Sequence, residues 1–118
     1  MLMKIDRRRL YTLSDDFFSL GGSVIMKLSS EAAVQVCEQA ANYGLVVSRV
    51  EGGIWHFPGF EARIDCIWDG DDPPVDAARA KTNNAVAANF IRSESVVHDA
   101  FIITAPRFDD MIGQINYL

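Results

Sequence analysis

Apolar residues occupy every second position from Phe60 to Trp68, and polar residues separate them as far as Cys66. The apolar positions are Phe60, Ala62, Ile64, Cys66 and Trp68. A period of two is typical of a half-buried antiparallel strand, so the pattern predicts a strand whose apolar side chains face the core. Pro58-Gly59 predicts a tight turn before it. The partner strand is predicted over residues 45–57, with a bulge at Gly52-Gly53.

Two helices are predicted from capping residues and spacing. Ser30 can cap a helix over about residues 30–43, with Gly44 as its stop. Small residues recur on one face of this helix, at Ala33, Cys37, Ala40 and Ala41. After a turn at 69–74, Pro73 or Pro74 suits the first position of an alanine-rich helix that runs to about Glu94. Its spacing places Thr82, Val86 and Phe90 on one face.

Two further strands are predicted at residues 23–28 and 98–105, which are rich in apolar and β-branched residues. The order is then strand, helix, strand, strand, helix, strand. This order predicts an α+β fold, specifically a ferredoxin-like split βαβ sandwich with an antiparallel sheet and two helices on one face. Residues 1–22 are predicted to be an N-terminal appendage held by Phe17 and Phe18, and residues 23–118 a single domain.

Chain length, net charge and cysteine count limit the classes of function that the protein can have. The chain has 118 residues, enough for one core without disulfide or metal support, and a net charge of -5. An acidic balance argues against nucleic-acid binding and suits a basic protein partner. The absence of a long apolar run predicts a cytoplasmic protein without membrane association. Cys37 and Cys66 are predicted to be buried free thiols.

The candidate chemistry centres on His56. A tight turn would place His56 opposite Glu61, and a histidine beside a carboxylate can act as a general acid or base. The structural alternative is an exposed cross-strand ion pair. Pairing His56 with Cys66 as a nucleophile conflicts with strand parity. His98 and Asp99 are taken as a polar pair at a strand end.

A group of carboxylates at Asp69, Asp71, Asp72 and Asp76 offers oxygen ligands, but it lacks the spacing of a calcium loop. No catalytic residue, metal site or cofactor is therefore predicted. The same region combines aromatic and acidic side chains, as interface hot spots and their charged rims do. The predicted partner-binding residues are Glu51, Trp55, His56, Glu61, Asp65, Asp69, Asp71 and Asp72.

Residues 17–70, with GGIWH and PGFEARIDCIWDG, and the later HDAFIIT resemble small immunity proteins of bacterial toxin systems of the colicin and contact-dependent growth inhibition type. The resemblance implies a cytoplasmic, non-enzymatic protein that binds and neutralises the C-terminal domain of a cognate toxin, often a nuclease. The basic cluster Arg7 to Arg9 is expected to lie away from that interface.

Two other functions stay open at this point. A small-molecule-binding regulatory domain is compatible with the predicted fold, since the fold does not decide among functions. A small hydrolase using His56 and Glu61 is the other alternative. Homodimer formation also stays open.

Overall fold

The computed structural model describes residues 4–111, which form one five-stranded sheet and three α-helices. The elements are β1 (Leu10–Tyr11), α1 (Ser14–Leu20), β2 (Lys27–Ser29), α2 (Ser30–Gln39), a 3-10 turn (Ala40–Tyr43), β3 (Arg49–His56), β4 (Gly59–Asp69), α3 (Ala77–Glu94) and β5 (Ala100–Thr104). The strand order is β1-β2-β5-β3-β4. All neighbouring strands are antiparallel except β1 and β2. The predicted α+β class is confirmed.

The elements from β2 to β5 follow the predicted order. Strands β2 and β3 are both antiparallel to β5, which lies between them, so the split βαβ unit is present. In a ferredoxin-like sandwich the inserted strand is the third one; in this protein it is the last one. Because a short turn keeps β4 beside β3, β4 becomes the edge of the described sheet.

The core lies between α2, α3 and one face of the sheet. The helices contribute mainly small side chains, and the sheet contributes the larger buried ones, Leu28, Val50, Phe101 and Ile103. The small face predicted for α2 is confirmed at Ala33, Cys37 and Ala40, which are buried, whereas Ala41 is half-buried. Alanines let the two helices approach closely. Each large apolar side chain buried here contributes about 1.5–3 kcal/mol.

Helix α3 buries a different face from the one that its sequence spacing predicted. Its buried positions are Ala80, Asn83, Asn84, Ala87, Ala88 and Ile91. Thr82 and Val86 are exposed, and Phe90 is half-buried. The alanine stripe packs inward because α2 opposite it is also lined with alanine.

Residues 10–20 are packed into the fold. Tyr11 and Phe17 are each 2% exposed, and β1 pairs with β2. Phe18 stacks on Tyr43, with ring centroids 3.8 Å apart. The predicted attachment through Phe17 and Phe18 is confirmed, and the domain division at residue 22 stays a prediction.

Helix α2 begins at Ser30 as predicted, but the residues that cap α2 and α3 differ from the prediction. The hydroxyl oxygen of Ser29, not Ser30, caps α2 by accepting from the Ala32 amide at 3.3 Å. The Asp76 carboxylate caps α3 by accepting from the Arg79 amide at 2.7 Å, and the prolines lie in the preceding loop. A side-chain acceptor at the N-cap satisfies a free amide, which a proline cannot do.

Three strands are shorter than predicted, and the last of them, β5, covers Ala100–Thr104 within the predicted 98–105. Residues 23–26 lie outside β2, and Val24 has a positive φ of 67° that a regular strand excludes. Residues 45–48 precede β3 because their backbone groups bind other partners. The Val46 amide donates to Pro106 at 2.9 Å, and the Val47 amide donates to the Asn84 side chain at 2.8 Å.

Candidate functional site

The β3–β4 hairpin carries most of the residues that the sequence singled out. Trp55 pairs with Phe60 and His56 pairs with Gly59, so Phe57 and Pro58 form the turn. The predicted pairing, with Trp55 opposite Ala62 and His56 opposite Glu61, was wrong by two residues. Gly59 lacks the positive φ that a turn position would require, and it serves as the first residue of β4.

The predicted contact between His56 and Glu61 is nevertheless present along the diagonal of the hairpin. His56 Nε2 lies 2.8 Å from Glu61 Oε1, and Arg63 Nε donates to Glu61 Oε2 at 2.9 Å. These side chains are roughly half exposed. The arrangement is that of an exposed ion-pair cluster without an attached nucleophile among the described residues, so it favours the structural interpretation of His56.

A large bulge interrupts the pairing of β3 and β4. Gly53 pairs with Ala62 and Glu51 pairs with Ile67, so residues 63–66 of β4 lie opposite Gly52 alone. The predicted bulge at the glycines is confirmed, but the extra residues belong to β4. They break the predicted burial pattern: Ile64 is 92% exposed and Ala62 is also exposed, whereas Cys66 is buried. A period-two argument assumes a regular ladder, which the bulge removes.

The glycines make this bulge sterically possible. A Cβ atom on Gly52 would overlap the Cys66 sulfur and come within 2.8 Å of the Phe101 ring. A Cβ atom on Gly53 would overlap the carbonyl oxygen of Glu61. Close approach of neighbouring side chains at Gly52 and of the β4 backbone at Gly53, not a positive φ, is therefore the reason for glycine at these positions.

The predicted acidic residues extend along β4 and into the next loop. We call this set the acidic edge: Glu51, Glu61, Asp65, Asp69, Asp71 and Asp72. Since β4 has 11 residues, the edge is a stripe about 35 Å long and not a compact patch. The structure thus spreads these residues over β3, β4 and the following loop without bringing them into a single site.

Half of the acidic edge is already neutralised by neighbouring cations. Asp69 pairs with Arg49 at 3.1 Å, and Asp71 pairs with Arg79. The hydrogen bond from the Arg79 guanidinium holds the pKa of Asp71 below its usual value. Within residues 4–111, Glu51, Asp65 and Asp72 have no basic side chain within ion-pair distance. The uncompensated negative charge of the edge therefore lies on these three carboxylates.

Exposed apolar side chains accompany the charges. Phe57 at the turn is 76% exposed, Ile64 in the bulge is 92% exposed and Ile67 is 37% exposed. Trp55 is half-buried. A few large apolar groups surrounded by charge are the usual composition of a protein interface.

A buried amide network, which sequence analysis missed, holds the loop of the acidic edge. The Asn84 side chain accepts from the Val47 amide at 2.8 Å and donates to the Leu45 carbonyl at 3.0 Å. Asn83 Oδ1 accepts from the Asp71 amide at 2.8 Å, and its Nδ2 donates to the Val47 carbonyl at 2.8 Å. The adjacent pair Asn83-Asn84 on the alanine-lined face of the helix could have indicated this network from sequence, because buried amides need hydrogen-bond partners.

Replacing Asn84 with alanine should lower the free energy of unfolding by about 2 kcal/mol, because buried backbone groups lose their partners. Asn89→Ala on the same helix is the matched control, since Asn89 is exposed and contacts only Arg92 among the hydrogen bonds described. Urea denaturation of both variants measures the difference. Equal stability of the two would contradict the role assigned to the network.

A second cluster combines a thiol, a carboxylate and an imidazole. The ligand atoms of Cys66, Glu94 and His98 lie within 4.8 Å of one another. Burial and then the nearby Glu94 charge raise the pKa of the Cys66 thiol to about 11. Sequence analysis considered Cys66 with His56, whereas the structure brings it to His98. His98 and Asp99 also separate, since Asp99 accepts from the Trp55 amide at 2.8 Å.

The other thiol lies between the helices. Burial raises the pKa of Cys37 to about 12. Both cysteines are buried and free, as predicted. No helix within residues 4–111 has the length and apolar character needed to cross a membrane.

Comparison with known proteins gives consistent matches. A family model described as "Colicin-E5 Imm protein" matches residues 26–106. An "Immunity protein CdiI" of Burkholderia pseudomallei is 68% identical over 104 residues, covering 88% of this chain and 95% of that protein. A "Colicin-E5 immunity protein" of Escherichia coli is 38% identical over 80 residues, covering 67% of this chain and 96% of that protein.

Proposed function

The chain belongs to the colicin-E5 immunity protein family, and we propose that it neutralises a cognate toxin domain by binding it through the β3–β4 hairpin and the acidic edge. The relatives are immunity proteins by name. The resemblance inferred from the sequence is thereby confirmed at the level of the family. The partner class follows from the family, and the surface is inferred from the chemistry of the hairpin.

The observation that carries the choice of surface is the bulge. It turns Ile64 outward, 92% exposed, beside the uncompensated carboxylate of Asp65. Exposing a large aliphatic side chain to water is unfavourable, and the cost is removed when a partner covers it. The neighbouring Phe57 and Ile67 extend the apolar contact along the same strand pair.

The charge of the surface favours a basic toxin domain, and a nuclease is the class that best combines a basic groove with cytoplasmic action. An acidic stripe can occupy the groove that such an enzyme uses for its nucleic acid. Inhibition then requires only occupancy of that groove, without turnover by the immunity protein. The exposed cluster of His56, Glu61 and Arg63 serves in this proposal as part of the rim.

The proposal is tested with the toxin domain encoded beside this protein. Co-expression should protect growth, and the purified proteins should form a 1:1 complex. Ile64→Asp should weaken the complex by about tenfold or more, because a charge replaces an apolar contact at the interface. Affinity is measured by surface plasmon resonance, in parallel with growth protection.

Leu13→Asp is the matched control, since Leu13 is 59% exposed but lies between β1 and α1, at the opposite edge of the sheet from β4. It should bind and protect like the unmodified protein. A complex that tolerates Ile64→Asp but not Leu13→Asp would place the interface on the β1–α1 side and contradict the assigned surface. Failure of every variant and of the parent to bind would contradict toxin neutralisation itself.

A further inference from the structure

The cluster of Cys66, Glu94 and His98 brings three donor types together from three elements. Cys66 lies in β4 at the end of the bulge, Glu94 is the last residue of α3, and His98 precedes β5. Their ligand atoms lie within 4.8 Å of one another. Cys66 is fully buried and His98 is 9% exposed. This differs from an exposed acidic group, whose carboxylates water satisfies.

The buried side chain of His98 lacks a hydrogen bond at one ring nitrogen. Its Nδ1 has no hydrogen-bond partner among the described residues, and it lies 4.0 Å from Glu94 Oε2, beyond hydrogen-bond range. A buried polar atom without a partner is costly and rare in native proteins. Glu94, for its part, has no Lys or Arg within ion-pair distance in residues 4–111. The site thus contains an unsatisfied nitrogen and an uncompensated carboxylate facing each other.

A divalent cation would satisfy all three groups at once. Sulfur, imidazole nitrogen and carboxylate oxygen are the donors that zinc takes in proteins. Ligands about 2.0–2.3 Å from a tetrahedral zinc lie about 3.3–3.6 Å from one another. Since the observed atoms lie within 4.8 Å of one another, binding needs them to approach by at most about 1.5 Å. Glu94 can supply that movement, because its side chain is 27% exposed and lies at a helix end.

We propose that Cys66, Glu94 and His98 bind one Zn²⁺, with water in the fourth position on the side of Glu94. On binding, the Cys66 thiol releases its proton to solvent. The ion ties the β4 bulge to the end of α3 and to the loop before β5. It thereby fixes the segment that presents Ile64 and Asp65. This site is independent of the toxin, so its test needs only the isolated protein.

Cobalt reports such a site directly, because a thiolate ligand produces a near-ultraviolet charge-transfer band. The reduced, metal-free protein is titrated with Co²⁺ and then with Zn²⁺. We expect the band to saturate at one equivalent and to disappear when zinc displaces cobalt. Cys66→Ser and His98→Gln should abolish the band, whereas Cys37→Ser and His56→Gln should retain it. The control variants change the same residue types outside the cluster.

Zinc should also raise the melting temperature of the unmodified protein by about 10 °C at a hundredfold excess over its dissociation constant. His98→Gln should show no such rise. If the unmodified protein shows no cobalt band and no zinc-dependent rise, the proposal is wrong. A band that persists in Cys66→Ser would likewise overturn it. Because the first readout uses the unmodified protein, misfolding of a variant does not decide the outcome.

Discussion

The double variant Asp65→Lys, Asp72→Lys should associate with the toxin domain about 10- to 100-fold more slowly at low salt than the unmodified protein. Both carboxylates are exposed and have no basic partner within residues 4–111, so their reversal leaves the internal ion pairs of the hairpin intact. Exposed rim charges act mainly on the encounter, and the dissociation rate should change much less. Stopped-flow association rates at several salt concentrations measure the effect.

The salt dependence distinguishes steering from a local contact. The unmodified protein should lose association rate steeply with ionic strength, and the double variant should show a shallower slope. Asp15→Lys, Glu31→Lys changes the net charge equally on α1 and α2 and serves as the control. If both variants slow association alike, net charge and not the acidic edge steers the encounter. An unaffected rate in the first variant would show that the acidic edge is only a solvated face.

Local features of the fold were accessible from sequence because they depend on neighbours in the chain. The small face of α2 and the stop at Gly44 follow from spacing and from a residue that tolerates a positive φ, here 78°. The order of strands and helices from β2 to β5 follows from hydrophobic periodicity. These features require no knowledge of distant partners.

The strand order and the bulge depend on contacts between distant segments. Periodicity predicts that β4 exists, but the three-residue shift between Glu51 and Gly53 on the opposite strand decides which of its side chains are buried. Ile64 was assigned to the core for that reason and lies 92% exposed. Regular alternation therefore assigns Ile64, the central apolar residue of the proposed interface, to the core.

The cluster of Cys66, Glu94 and His98 likewise depends on contacts between distant segments, which the sequence does not show. Glu94 and His98 are four residues apart and could be paired from sequence, since such spacing suits a helix end. Their approach to Cys66 requires both the bulge and the placement of β5 beside β3. Cys66 and His56 are apart in the structure, as predicted, but strand parity could not identify His98 as the histidine beside Cys66.

Gly53→Ala should lower the free energy of unfolding by about 3–5 kcal/mol, a large effect for the addition of one methyl group. The new Cβ would overlap the backbone carbonyl oxygen of Glu61 and lie 3.0 Å from the Phe60 ring. A backbone atom in a sheet cannot move away as a flexible side chain can. The pairing of Gly53 with Ala62 must therefore open, and with it the register of the hairpin. Urea denaturation, with the m-value checked for two-state behaviour, measures the loss.

Gly59→Ala on the same hairpin is the matched control. Its Cβ would meet only the His56 carbonyl oxygen, at an ordinary 3.7 Å, and its φ is not positive. The substitution should change stability by no more than about 1 kcal/mol, and in the stabilising direction, because alanine restricts the unfolded chain. Similar losses in both variants would mean that the hairpin tolerates neither methyl group and that general strain explains the result. A stable Gly53→Ala protein would show that β3 and β4 pair without this bulge, and Ile64 would then return to the buried face and leave the proposed interface.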